Sequence, residues 1–246
     1  MSYERFAYLY DELMKDVPYE KWVEIVTREV QKLGIDGKQL LDLACGTGEL
    51  SVQFAEGGFE VTGVDLSEDM LAVAFAKAQD RGLELNFYQQ NMAELELMTP
   101  FDIVGIFCDS LNYLQTEEDV IKTFHSVFRH LKENGLFIFD VHSVHKMSNL
   151  FLNQTYAYNG DDISYIWQCF EGEFPLSIEH ELTFFVQDDD GKYDRYDELH
   201  FQRTYPVQQY IEWLEKAGLQ VMEILADFEN KSYEQDCERI LFIAKK

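Results

Sequence analysis

The apolar positions of this chain follow two different periods. In EKWVEIVTREVQKL, positions 20 to 33, Trp22, Ile25, Val26, Val30 and Leu33 recur at helical spacing, so positions 1 to 33 read as helical. Leu40 to Ala44 reads as a short buried strand, ended by the glycines that follow. ELSVQFAEGG predicts a helix stopped at Gly57 and Gly58, and FEVTGVDLS a second strand. SEDMLAVAFAKAQDRG predicts a helix with Ser67 as N-cap and Gly82 just beyond its end. LELNFYQQ, FDIVGIFC and GLFIFDV supply three more strands. Between the last two, TEEDVIKTFHSVFRHLKENG predicts a helix opened by Thr116 and a run of acids and closed by Asn134 and Gly135. Strands alternating with helices over short connections predict a doubly wound parallel sheet of Rossmann-like type.

The period changes near position 150. Ile163, Tyr165, Trp167 and Cys169 alternate with their neighbours, as do His180, Leu182, Phe184 and Val186, and then Leu199, Phe201 and Arg203. DDDGK at 188 to 192 supplies a turn between two such runs. This predicts a small antiparallel β lid, 150–203, inserted in an α/β domain made of 1–149 and 204–246. Trp167, Phe170, Phe174, Phe184, Phe185 and Phe201 exceed what so small a sheet needs to pack on itself. The surplus suits the main domain, a substrate pocket or a homodimer contact. TYPVQQYIEWLEKAG returns to helix with Pro206 in its first turn, and LQVMEILADF and RILFIAKK close the chain as strands.

Charge narrows the partners. Twenty basic against 46 acidic residues give a net charge of −26 over 246 residues. Affinity for nucleic acid rests on cations placed against phosphates, and the basic residues here do not cluster. The acidity serves solubility and suits cationic or amine substrates. Cys45, Cys108, Cys169 and Cys237 are far apart with no C-x-x-C pair, which argues against a zinc site or a disulfide framework and suits a reducing cytoplasm. The N-terminus is amphipathic and charged rather than a signal peptide, and no apolar window is long enough to span a membrane.

The candidate chemistry begins at QLLDLACGTGELS, positions 39 to 51. No lysine follows its glycines, so it is not a phosphate loop. A dinucleotide fingerprint requires a third glycine where Ser51 stands, and Glu49 puts a negative charge at the helix start that a pyrophosphate would occupy. The second strand ends at Asp65, where an acid can accept both hydroxyls of a ribose. A ribose-bearing ligand without pyrophosphate, such as S-adenosyl-L-methionine, fits both observations.

LDLACGTG, GVDLSEDML and the Asn91-Met92 pair after the third strand together resemble the class I S-adenosylmethionine-dependent methyltransferases, over about 39–142 and 204–246. YDELM near the N-terminus resembles the Y-D-x-[LM]-M helix of a small-molecule subgroup that also carries an antiparallel lid. The resemblance implies a seven-stranded sheet with its last strand antiparallel. It also implies that Leu43, Ala44, Gly46 and Gly48 pass along the methionine portion of the cofactor, and that Asp65 holds the ribose. Leu66, Met70, Asn91 and Met92 would surround the adenine, and Cys108, Asp109 and Leu111 would face the methionyl tail and substrate. Aromatics of the N-terminal helices, Tyr3, Tyr8, Tyr10, Tyr19 and Trp22, would close over the sulfonium. Two departures stand out: Ala44 occupies a usual glycine, and Asn91 replaces a common aspartate whose acceptor role its amide carbonyl can still fill.

Methyl transfer demands alignment, exclusion of water and, for some acceptors, a base. His142 after the fifth strand and Tyr113 after the fourth are the catalytic candidates. No Asp-Asp-Asn set at ligand spacing marks a metal site. The reading is therefore a methyltransferase acting on nitrogen or oxygen of a small molecule. An RNA methyltransferase, a nicotinamide oxidoreductase and a non-catalytic binding protein are the rivals.

Overall fold

The computed structural model describes residues 10, 11, 14, 17–188, 190–229, 231, 233 and 236–246. Helix α1 (Tyr19–Leu33) leads into β1 (Gln39–Leu43), α2 (Glu49–Glu56), β2 (Glu60–Asp65), α3 (Glu68–Asp80), β3 (Asn86–Gln89) and β4 (Phe101–Ile106). Helix α4 (Glu117–His130) and β5 (Leu131–His142) follow. Then come β6 (Thr155–Asn159), β7 (Ile163–Glu171), β8 (Ser177–Gln187), β9 (Tyr193–Arg203), α5 (Val207–Ala217), β10 (Gln220–Ala226) and β11 (Arg239–Lys245).

Seven strands form one sheet in the order β10-β11-β5-β4-β1-β2-β3. The final strand, β11, runs antiparallel to both neighbours, β10 and β5, as the resemblance implied. Strand order reverses between β1 and β4, which opens a crevice at their carboxyl ends. Trp22, Ile25, Leu50 and Phe54 cover one face of the sheet; Phe124, Tyr210 and Trp213 cover the other with Phe137, Phe139 and Phe242. Phe139 stacks on Phe242 at 4.8 Å between centroids, locking β11 against β5.

The second sheet is an antiparallel meander, β6-β7-β8-β9. Its β8–β9 turn is the DDDGK stretch, where the Asp188 carboxylate accepts hydrogen bonds from the backbone N–H of Asp190 and Lys192. Alternation sets its faces: Cys169, His180 and His200 stand opposite one another across β7, β8 and β9.

One boundary differs from the expectation. Helix α4 ends at His130, not at Asn134-Gly135. Leu131 is buried and pairs with Phe101 at the start of β4, so β5 begins four residues early. The register shift that follows absorbs Asn134, whose φ is +66°.

Candidate active site

A cavity of about 330 Å³ opens at the carboxyl edge of β1, β2 and β4. Its floor is the loop after β1. Ala44, Gly46 and Gly48 all have positive φ, +57°, +54° and +75°. Glycine takes that conformation at no cost, whereas an alanine there is strained by roughly 1–2 kcal/mol. A Cβ on Gly48 would stand 2.8 Å from the Ala74 Cβ, so its role is to let α2 and α3 approach.

Asp65, at the end of β2, faces this loop. Its Oδ2 accepts the Gly46 N–H and its Oδ1 the Ser67 N–H, both at 2.8 Å. Each carboxylate oxygen carries two lone pairs, so each keeps one for a ligand hydroxyl. Burial raises the Asp65 carboxyl above its ordinary range against the pull of those amides. Leu66, Met70 and Met92 form an apolar slot beside it, with Leu66 67 % exposed. Asn91 also lines the cavity, but its carbonyl accepts the Ala93 N–H at 3.0 Å and caps a short 3-10 turn. One lone pair of that oxygen remains for an adenine amino group.

The charge of Glu49 is balanced in part: Lys77 Nζ lies 3.0 Å from Glu49 and 2.8 Å from Asp11, which sits in the YDELM stretch. Beneath the loop, Asp42 is 2 % exposed and accepts the Ser51 hydroxyl at 2.5 Å. Burial pushes its carboxyl up to about 7. Tyr10, Tyr19 and Tyr113 converge on the opposite wall with Cys108, and burial lifts all four above their ordinary values. His200 of the second sheet completes the wall, edge-on to Tyr113 at 6.0 Å between centroids.

The structure thus brings Ala44, Gly46, Asp65, Leu66, Met70, Asn91, Met92, Cys108, Tyr113 and Tyr19 to one cavity. Leu43, Gly48, Leu111, Asp109 and His142 do not line it. Leu43 and Leu111 are side chains of the core, the natural place for apolar groups on a buried strand and the turn beneath it. Trp22 packs in the core as well. Tyr3 and Tyr8 lie outside the described residues.

Asp109 and His142 belong to a buried polar network behind the cavity wall. Cys108 and Asp109 both have positive φ, +54° and +53°, which turns Cys108 to the cavity and Asp109 away from it. Asp109 meets Arg239 Nη2 at 2.9 Å, His142 Nε2 at 3.2 Å and the Gln202 amide at 2.9 Å. Arg239 also binds Asp140, which accepts the Trp22 indole N–H at 2.7 Å and the Asp109 backbone N–H at 2.9 Å. Burial alone would raise the Asp109 carboxyl; His142 and Arg239 reverse that and hold it well below its ordinary value. Burial keeps His142 below its own, against the pull of Asp109. The network ties α1, β4, β5 and β11 to the end of β9. Sequence reading missed Arg239, Gln202, His200 and Asp42. Two of them had a visible signal: Asp42 is an acid within an apolar strand, and Arg239 is a cation opening one.

A family model described as a methyltransferase domain matches residues 40–135. A protein of Geobacillus sp. (strain WCH70) named methyltransferase GWCH70_2453 is 52 % identical over 100 % of both chains. The chain belongs to the S-adenosylmethionine-dependent methyltransferases. The crystal structure of such an enzyme from Clostridium acetobutylicum ATCC 824 superposes with a TM-score of 0.90 at 33 % identity, over 99 % of this chain and 98 % of that one. The sugar N-methyltransferase KedS8 of Streptoalloteichus sp ATCC 53650 shares the fold, with a TM-score of 0.76 at 22 % identity over 96 % and 92 % of the two chains.

S-adenosyl-L-methionine is therefore the methyltransferase's cofactor, and the residues present suit it. Asp65 keeps two acceptor sites for ribose hydroxyls, the Leu66–Met70–Met92 slot suits an adenine, and the described lining includes no Lys or Arg to repel a cationic sulfonium.

Proposed function

We propose that this methyltransferase methylates nitrogen or oxygen of a small molecule, with an amine as the favoured acceptor. One observation carries the reading: the second sheet contributes His200 to the cavity wall, beside tyrosines, Cys108 and Ser110. Such a pocket admits a small molecule rather than a folded RNA. Two carboxylates, Glu49 and Asp65, line the same cavity and favour cationic over anionic ligands. KedS8, a sugar N-methyltransferase, uses the same fold on a small-molecule acceptor.

S-adenosylmethionine supplies a methyl group already activated on a sulfonium. The chain contributes placement and dryness. Asp65 Oδ1 and Oδ2 would hold the ribose hydroxyls, Leu66, Met70 and Met92 would hold the adenine, and the loop from Ala44 to Gly46 would support the methionine portion. Tyr10, Tyr19 and Tyr113 line the same cavity and would offer the sulfonium a cation–π setting. The second sheet acts as a lid that excludes water.

Thermal shift and calorimetry with S-adenosylhomocysteine test the cofactor half. Asp65→Ala weakens binding by about 1–3 kcal/mol, roughly tenfold or more, by removing charge-assisted acceptors; an unchanged affinity takes Asp65 out of the site. Binding to bulk RNA at low salt tests the acceptor half, because tight salt-sensitive binding would contradict a small-molecule enzyme. We also propose a homodimer through the lid, whose outer face exposes Ile166, Phe170, Leu199 and Phe201. Sedimentation equilibrium is expected to give twice the 28.9 kDa chain mass, and a monomer rejects it.

A further inference from the structure

The second sheet does more than roof the cavity: it places an imidazole on the acceptor wall. Strand β9 carries His200 on the face that meets the main domain, between Glu198 and Gln202. Gln202, two residues along on that face, is 6 % exposed and held on Asp109, so this end of the strand is anchored and His200 with it. The ring meets Tyr113, which follows β4 in a 3-10 turn, and both line the cavity with Cys108 and Ser110. Among the described residues, the titratable groups that share the cavity wall or the strand face with His200 include Tyr10, Tyr113 and Cys108 from the main domain, His180 directly opposite on β8, and Glu198 on its own strand.

We propose that His200 is the proton acceptor for the methyl-accepting nitrogen, with Tyr113 fixing the ring edge-on. The inference rests on the amine reading above. An alkylamine enters largely as its ammonium at neutral pH and has no lone pair to attack with until a proton leaves. The N–H proton passes to the neutral imidazole of His200. The uncovered lone pair forms the N–C bond while the methyl–sulfur bond breaks with its electron pair left on sulfur. The imidazolium then returns its proton to solvent. Burial lowers the His200 imidazole from its ordinary value, which keeps it in the accepting form at neutral pH. Tyr113, raised by burial, stays protonated and cannot take that role. His142 is turned away onto Asp109.

The test uses the full chain, S-adenosylmethionine and a panel of primary and secondary alkylamines with the matching alcohols. Initial rates are followed from about pH 5 to about pH 9 beside S-adenosylhomocysteine affinity. His200→Gln should keep that affinity, lose about 100-fold or more of amine methylation at neutral pH, and narrow the gap at alkaline pH where solvent already frees the amine. His200→Ala should recover activity with added imidazole. Equal rates, a gap constant across pH, or transfer to alcohols and to no amine would overturn the proposal. Loss of S-adenosylhomocysteine binding by the wild type would instead sink the cofactor reading. Nuclear magnetic resonance titration of the wild-type His200 imidazole stands apart from the variants. It should titrate below the ordinary histidine value, and an imidazole that stays protonated at neutral pH overturns the assignment.

Discussion

Arg239→Ala is expected to lower stability by about 3–5 kcal/mol, read as a fall in the urea midpoint with an unchanged slope. The side chain bridges Asp109 and Asp140, and Asp140 is 0 % exposed. Removing the guanidinium leaves two carboxylates in a poorly hydrated space whose other cationic candidate among the described residues is His142, an imidazole that burial holds below its ordinary value. The deficit should shrink as pH falls, because Asp109, no longer held down by Arg239, then folds in its neutral form. Arg239→Lys should rescue only part, since an ammonium cannot span both acids in the planar fork that Arg239 presents. A loss under 1 kcal/mol (the scale of a surface ion pair) would show that the network is solvated and does not clamp the strands. Arg239 also lies over the Trp22 ring at 5.1 Å, so loosening of α1 and its Tyr19 should accompany the variant.

Asp42→Asn should act in the opposite direction and only at higher pH. The folded chain holds a proton on Asp42 up to about pH 7, while the unfolded chain gives it up near 3.8. Between those values the folded state binds more protons, so this group makes stability fall as pH rises. Its benefit is complete below the unfolded value and gone above the folded one. Asparagine removes the ionisation and can still accept the Ser51 hydroxyl. The variant should therefore match the wild type near pH 4 and exceed it by a few kcal/mol at alkaline pH. Chemical denaturation at a series of pH values checks this. Parallel stability curves would mean that Asp42 is charged and compensated in the fold.

The sequence determined the Rossmann-like α/β class, the second antiparallel sheet and a ribose-bearing ligand without pyrophosphate, because local rules govern each. Periods of 3.6 and 2.0 separate helices from strands, and glycines after β1 mark a loop with positive φ. An acid at the end of β2 falls at the switch point whatever the rest of the chain does. Asp65 was legible at the cavity on those grounds, whereas Ala44 and Met92 were reached through the family resemblance. Leu43 and Leu111 do not line the cavity because a motif specifies backbone path, whereas packing decides which way each side chain turns: Leu43 on β1 and Leu111 in the 3-10 turn after β4 both enter the core.

What only the tertiary structure decided is the partnering of distant charges and the far wall of the site. Arg239 lies 130 residues from Asp109, and Gln202 lies 93 residues from it. No local pattern encodes such pairs; they exist because antiparallel β11 delivers Arg239 to the same sheet edge as β4 and β5. The same closure carries His142 out of the cavity onto Asp109 and brings His200 in from β9 beside Tyr113. Burial follows from that closure, and burial is what shifts Asp42 and His200 from their ordinary values.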